Sequence, residues 1–202
     1  PGGPTEDPTQ GFTLGGWSTD FWDGVMDDAM GALFSGPFDL LLGRKTYEIF
    51  AAHWPYVMGE EAGIGGAFTK ANKYVLTRGG TALAWENSHA LADIDAVAAV
   101  KAGDGPDVLI QGSTTIYPAL FAAGLVDRLF VMTFPVVLGH GKRLFGLGTP
   151  PFALRLTDHK VASTGVSIAT YEPAGGVLIG SFQRNAPSER EVARQARMKA
   201  EG

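Results

Sequence analysis

Cysteine is absent from the 202 residues. That excludes disulfides, thiolate metal sites and cysteine nucleophiles together. It also fits a reducing compartment, so the expected location is the cytoplasm. No uninterrupted apolar run approaches the roughly 20 residues that span a bilayer. The start of the chain shows no basic stretch followed by an apolar one, so neither a membrane span nor a signal peptide is expected. Positive charge is in short supply: 16 Lys and Arg against 21 Asp and Glu leave a net charge of −5. Nucleic acid and anionic membranes are therefore not expected as partners, although a local cationic pocket for one phosphate group is compatible with that balance. His53, His89, His140 and His159 are scattered, and none pairs at metal-ligand spacing, so no metal is expected. The chain also lacks a G-x-G-x-x-G fingerprint, a Walker A loop and a G-x-S-x-G elbow.

What is present is enough apolar material for one core: 45% of residues are apolar and 18% charged. Residues 1–18 read as an irregular lead-in rich in Gly, Pro and Thr. A helix with Trp22, Val25, Met26, Ala29, Met30 and Leu33 on one face follows, capped by Thr19 or Asp20. Asp27 and Asp28 fall on its solvated face. Strands are expected at 38–42, 73–77, 107–111 and 128–134, and a short one at 83–85. Helices are expected at 44–52, 93–102 and about 114–123, and a short one within the connector 55–70. The pattern then changes to a Gly-rich loop at 135–146, an antiparallel hairpin at 153–161 and 164–172, and an edge strand at 177–182. This order predicts an α/β fold with a mostly parallel sheet and an antiparallel C-terminal hairpin. Residues 1–186 form a single domain in this reading. Residues 187–202 form a helical tail, solvated and available to a partner.

Three segments share one design, a short apolar strand followed by a turn of small or basic residues. In open α/β sheets ligands sit beyond the carboxyl ends of the strands. The first turn is Gly43-Arg44-Lys45-Thr46, where two cations stand at a helix start whose dipole disfavours them and a bound anion offsets the repulsion. The second is Thr77-Arg78-Gly79-Gly80, with an arginine able to fork onto a phosphate. The third is Gln111-Gly112-Ser113-Thr114-Thr115, where backbone N–H groups and hydroxyls suit a pyrophosphate. Each has a plainer reading: two solvated basic residues in a turn, a surface arginine, and a glycine turn with a hydroxyl cap. Trp17, Trp22 and Trp54 read as core residues, of which one or two stack on a flat heterocycle.

Taken in order, the stretches Leu40 to Phe50 (LLLGRKTYEIF), Lys73 to Arg78 (KYVLTR), Asp107 to Leu120 (DVLIQGSTTIYPAL) and Leu125 to Phe145 (LVDRLFVMTFPVVLGHGKRLF) resemble the dihydrofolate-reductase-like superfamily. The closer resemblance is to the C-terminal reductase domain of bacterial riboflavin biosynthesis enzymes, and it extends over most of residues 12–172. It implies a three-layer αβα fold and an NADPH-dependent reductase that passes hydride to a small heterocyclic, carbonyl or imine substrate, pterin-like and pyrimidine-like compounds included. Gly43, Arg44, Lys45 and Thr46 inherit contacts to the cofactor phosphates. Thr77 and Arg78 inherit the adenosine 2′-phosphate. Gln111, Gly112, Ser113, Thr114 and Thr115 inherit the pyrophosphate. Trp17, Trp22 and the loop with Pro135, Leu138 and Gly139 fall on the substrate side. Asp20 is the candidate carboxyl for proton delivery. Family members are often homodimers, so a homodimer is expected.

Two features depart from the family. The usual opening strand with an S-L-D-G loop is not found: either it precedes Pro1 or this member lacks it, and a chain without it has a gap in its sheet unless another segment fills the place. Gln111-Gly112-Ser113 also stands where dihydrofolate reductases carry more glycine. The alternative expectation is therefore a non-catalytic nucleotide-binding protein that keeps the cofactor cradle, and a further one is an assembly module acting through the C-terminal helix.

Overall fold

A computed structural model describes residues 11–79, 82–182 and 185–201. Among them, seven strands and six α-helices follow one another as α1 (Gly24–Leu33), β1 (Phe38–Gly43), α2 (Arg44–His53), α3 (Ala62–Lys70), β2 (Lys73–Leu76), β3 (Ser88–Leu91), α4 (Ile94–Lys101), β4 (Asp107–Leu109), α5 (Tyr117–Ala122), β5 (Leu129–Thr133), β6 (Leu154–Val161), β7 (Ser167–Pro173) and α6 (Glu189–Glu201).

β1 is the keel. Its run Phe38-Asp39-Leu40-Leu41-Leu42-Gly43 is buried throughout, as a strand covered on both faces must be. Side chains alternate across a strand, so Leu40 and Leu42 point to one face and Leu41 to the other. Leu40 and Leu42 join Tyr47 of α2, Phe68 of α3 and Trp85 in one cluster. Leu41 joins Val97 of α4 and Ile116 and Leu120 by α5 in another. Helices thus cover both faces, which makes the three layers that the family resemblance implies. Each fully buried leucine contributes about 1.5–3 kcal/mol relative to an exposed one. The helix connector is tight at Gly65: a Cβ there would lie 2.4 Å from Val57 Cγ2 and 2.8 Å from the Trp54 carbonyl oxygen, so only glycine lets α3 approach.

The sheet is not one sheet. β3-β2-β1-β4 form a parallel four-stranded sheet, and β5-β7-β6 form a separate antiparallel one. Among the described residues no ladder joins β4 to β5, so the gap expected from the unmatched opening strand is present. α1 packs on the second sheet, with Met26 and Ala29 against Ala162, Val166 and Ile168.

Several boundaries differ from the sequence reading, each for a local reason. Asp23, not Thr19 or Asp20, caps α1: its Oδ1 accepts from the N–H groups of Val25 and Met26, both at 3.1 Å. Trp22 therefore precedes the helix. Residues 83–85 are not a strand. Trp85 is drawn into the core instead and its N–H donates to the Tyr47 hydroxyl at 2.9 Å, and the strand forms three residues later as β3 after Asn87 turns at φ +54°. α5 begins at Tyr117 rather than near 114, because Gly112 and Ser113 both take positive φ and Pro118 suits the first helical turn. Residues 177–182 form no strand and pair with neither outer edge of the β5-β7-β6 sheet. The helix at the tail is present as α6, with no buried residue. Among the described residues no helix is long and apolar enough to cross a membrane.

Candidate functional site

Parallel pairing sets the site. Gly43 pairs in register with Leu76, and Leu40 with Leu109, so β1, β2 and β4 release their turns from the same end of the sheet. Gly43 to Thr46, Thr77 to Gly79 and Gln111 to Thr115 are therefore brought to one edge.

The first and third turns are stitched together. The Gly43 N–H donates to Ser113 Oγ at 2.9 Å, and the Ser113 N–H donates to Thr46 Oγ1 at 3.1 Å. A hydroxyl that accepts one hydrogen bond retains its own proton, so Ser113 Oγ remains a donor. Gly112 at φ +62° and Ser113 at φ +54° curl the backbone between these contacts. A Cβ on Gly112 would meet the Thr46 side chain at 3.4 Å, so glycine keeps this concave turn open. The energetic cost of a non-glycine residue in the left-handed region is of order 1 kcal/mol or more, and such strain concentrates where surrounding contacts over-determine it.

The cations lie around this pair of turns. Arg44 begins α2, donates from Nε to Glu48 at 2.7 Å and stands over the Tyr47 ring at 5.9 Å. Glu48, one helical turn on, thus offsets part of the repulsion between Arg44 and the helix dipole; the i,i+4 spacing is the signal that identifies it. Lys45 is exposed beside it. Thr77 is held in its turn, with its N–H on the Leu91 carbonyl at 3.0 Å and its hydroxyl on the Gly79 carbonyl at 3.0 Å. Arg78 is exposed. Gln111 and Thr114 are half-buried, and Gly112 and Thr115 are exposed.

The residues expected on the substrate side belong to the other sheet. Trp17 and Phe21 both meet Phe134 edge-on, at 4.9 and 5.9 Å, at the end of β5. Pro135 follows and lies 3.6 Å from where a Cβ on Gly165 would stand. Leu138 is half-buried and Gly139 takes φ +75° in the loop beyond. Trp22 is separate: it is 46% exposed and donates from Nε1 to Asp27 at 2.5 Å. Asp20 is exposed on a short 3-10 turn, Thr19–Phe21. Trp54 joins the core, packed at 4.8 Å on Phe68.

Two buried polar groups gave no functional signal in the sequence. Lys73 has no exposed surface. Its ammonium donates to the carbonyls of Phe68 and Thr69, at 3.1 and 2.6 Å, and faces the Trp85 ring at 4.4 Å. Burial lowers its pKa to about 8, against the opposing pull of Glu86 and Asp39. Asp39, in an otherwise apolar strand, accepts from the Asn72 backbone N–H at 2.8 Å. Both hold the α3–β2 junction in place, at the end of β2 away from the Thr77–Arg78 turn.

A model of the RibD C-terminal domain family matches residues 11–168. The chain belongs to that family. It is similar to YyaP of Bacillus subtilis (strain 168), whose name describes it as uncharacterized, with 26% identity over 155 residues covering 73% of this chain and 81% of that one. Among solved structures it is similar to a protein of Shewanella sp. PV-4 provisionally described as a riboflavin biosynthesis protein, with 22% identity and a TM-score of 0.55 over 71% of this chain and 77% of the other. It is also similar to a pyrimidine reductase-like protein of Corynebacterium diphtheriae, with 14% identity and a TM-score of 0.54 over 78% of this chain and 84% of the other. These likenesses bear out the dihydrofolate-reductase-like fold, and the family suggests a reductase role.

Proposed function

We propose that this RibD C-terminal-like chain is an NADPH-dependent reductase that delivers hydride to a C=N or C=O group of a small heterocyclic or carbonyl substrate, pterin-like or pyrimidine-like compounds included. The observation that carries the reading is the stitched pair of turns at the carboxyl edge of the parallel sheet, with Arg44, Lys45 and Arg78 around it.

The donor set suits a polyphosphate. Gly43, Arg44, Lys45 and Thr46 would hold the phosphates beside α2. Gln111, Gly112, Ser113, Thr114 and Thr115 would hold the pyrophosphate through hydroxyls and backbone N–H groups on an open glycine turn. Thr77 and Arg78 would hold the 2′-phosphate. When bound, the cofactor supplies hydride, and the protein contributes position and charge. Trp17, Trp22 and the loop with Pro135, Leu138 and Gly139 would form the substrate side. The proton that completes the reduction goes to the substrate nitrogen or oxygen from Asp20 or from water. Mutating Asp20 to Asn separates the two sources: a large loss of kcat with unchanged NADPH affinity supports the carboxyl, and unchanged kcat assigns the proton to water.

A second reading is a non-catalytic NADPH-binding protein. It needs only the stitched cradle, in which Ser113 bonds Gly43 and Thr46, and no proton donor. NADPH consumption by the purified chain, followed with a panel of cyclic imines and carbonyl heterocycles, decides between the two. Turnover of any member supports the reductase; tight NADPH binding with no turnover across the panel supports the binder.

A further inference from the structure

Glu48 is the one acidic residue of α2, and it stands where it does little for the helix. Side chains at i and i+4 meet on one helix face. Such a pair supports a helix best when the acid comes first, because the positive end of the helix dipole is at the N-terminus. Here the order is reversed: Arg44 opens α2, Glu48 follows one turn on, and the first turn carries no acid. The pair offsets the repulsion on Arg44 only in part, so helix stability does not account for it. The orientation of Arg44 does.

Arg44 is held from two sides. Its Nε donates to Glu48 Oε1 at 2.7 Å, and its guanidinium carbon lies 5.9 Å from the centre of the Tyr47 ring, within cation–π reach. The ring is itself fixed: Tyr47 is buried, and its hydroxyl accepts the Trp85 N–H at 2.9 Å. A guanidinium carries five N–H donors in one plane, so fixing Nε and the plane fixes the direction of the other four. The Arg44 side chain is 23% exposed and that of Glu48 57%, so the carboxylate reaches in from solvent to a largely enclosed cation. An unheld arginine loses its rotamer freedom when it grips a phosphate; a held one has lost it beforehand.

We propose that Glu48 is a positioning residue: it holds the Arg44 guanidinium over Tyr47 in the orientation that receives a cofactor phosphate. Glu48 touches no phosphate itself. Its charge repels one, so its contribution to binding passes through Arg44. The inference deepens the NADPH reading and rests on it.

The test is NADPH titration of the full chain and of its Glu48→Ala, Glu48→Gln, Arg44→Ala and Arg44→Ala, Glu48→Ala variants. Glu48→Ala is expected to weaken NADPH by about three- to tenfold. Glu48→Gln keeps an acceptor oxygen for Nε and is expected to recover most of that loss. With Arg44 already replaced by Ala, removing Glu48 is expected to cost nothing more. Thermal unfolding runs alongside, and a melting temperature close to that of the parent is expected for Glu48→Ala, since exposed i,i+4 pairs contribute little to stability. Unchanged NADPH affinity in Glu48→Ala overturns the proposal. So does tighter binding, which makes the carboxylate a competitor of the phosphate for Arg44. An equal loss with and without Arg44, or a Glu48→Gln protein as weak as Glu48→Ala, overturns it as well. An unmodified chain that binds no NADPH removes the cradle and the proposal together, whereas one that binds NADPH without regard to Glu48 removes the proposal alone.

Discussion

Gly43 and Ser113, seventy positions apart, are joined by a backbone N–H donating to a side-chain hydroxyl at 2.9 Å. This one bond fixes the distance between the two turns that form the proposed cofactor cradle. Replacing Ser113 with Ala leaves a buried N–H unpaired, which costs about 1–3 kcal/mol. Ser113→Gly relieves the left-handed backbone yet loses the same bond. Both variants are expected to lower the denaturation midpoint, Ala more than Gly, and both to weaken NADPH binding. Urea unfolding and NADPH titration on the two variants measure these effects. A Ser113→Ala protein with unchanged stability and unchanged NADPH affinity contradicts the role given to this contact.

Arg78 is the residue that separates two cofactors. A charge-assisted hydrogen bond to the 2′-phosphate contributes about 1.5–3 kcal/mol, so Arg78→Ala is expected to weaken NADPH by about tenfold to a hundredfold and to leave NADH nearly unchanged, since NADH has no such phosphate. Parallel titrations with both nucleotides give the ratio. Equal weakening of both removes Arg78 from that position.

Lys73 gives the fold an alkaline signature. Its folded pKa, about 8, lies below the ordinary lysine value of 10.5. Between these values the unfolded chain binds the proton more tightly than the folded one, so stability rises as pH rises through this window. Below it the charged ammonium carries its desolvation cost in full, offset by the Phe68 and Thr69 carbonyls and the Trp85 ring. Lys73→Met is expected to flatten the pH dependence between about pH 8 and 10 and to unpair those carbonyls at the end of α3. Thermal unfolding across that range, on both proteins, tests it; an identical slope in the variant contradicts the assignment.

Asp23 gives an acidic one. The Ser163 hydroxyl, with the N–H groups of Met26, Ser163 and Val25, holds its carboxyl below the usual aspartate value against the opposing effect of burial. Its Oδ2 takes the Ser163 N–H and hydroxyl at 2.7 and 2.6 Å, tying the start of α1 to the hairpin between β6 and β7. Because the folded value is depressed, the contribution is full above the unfolded pKa and is lost as pH falls through the folded one. Asp23→Ala is expected to lower the melting temperature at about pH 7 and to narrow the gap from the parent protein in strong acid. A gap that stays constant with pH contradicts a charge-based tie.

Much of the fold was legible because its signals are local. Phe38 to Leu42 is an unbroken apolar run, and such a run in a chain of alternating elements belongs to a strand covered on both faces. Gly43, Thr77 and Gln111 each stand at or just past the end of a parallel strand, so their common edge follows from topology. The errors arose where a distant contact overrode the local pattern. Trp85 belongs to a loop because Tyr47 and the core draw it in. The start of α5 moves to Tyr117 because Gly112 and Ser113 are bent to meet Gly43 and Thr46. Val177 to Phe182 has the composition of a strand, but pairing requires an edge, and no sequence pattern names the edge. Asp23 outranks Asp20 as a cap because it also binds Ser163, 140 positions away. Lys73 gave no signal at all, since a buried lysine is defined by the carbonyls around it.

The central claim is the cofactor cradle, and tryptophan fluorescence of the purified chain during titration with NADPH and NADH tests it most directly. The account predicts saturable NADPH binding in the micromolar range with a clear preference over NADH. Absence of binding by either nucleotide would contradict it.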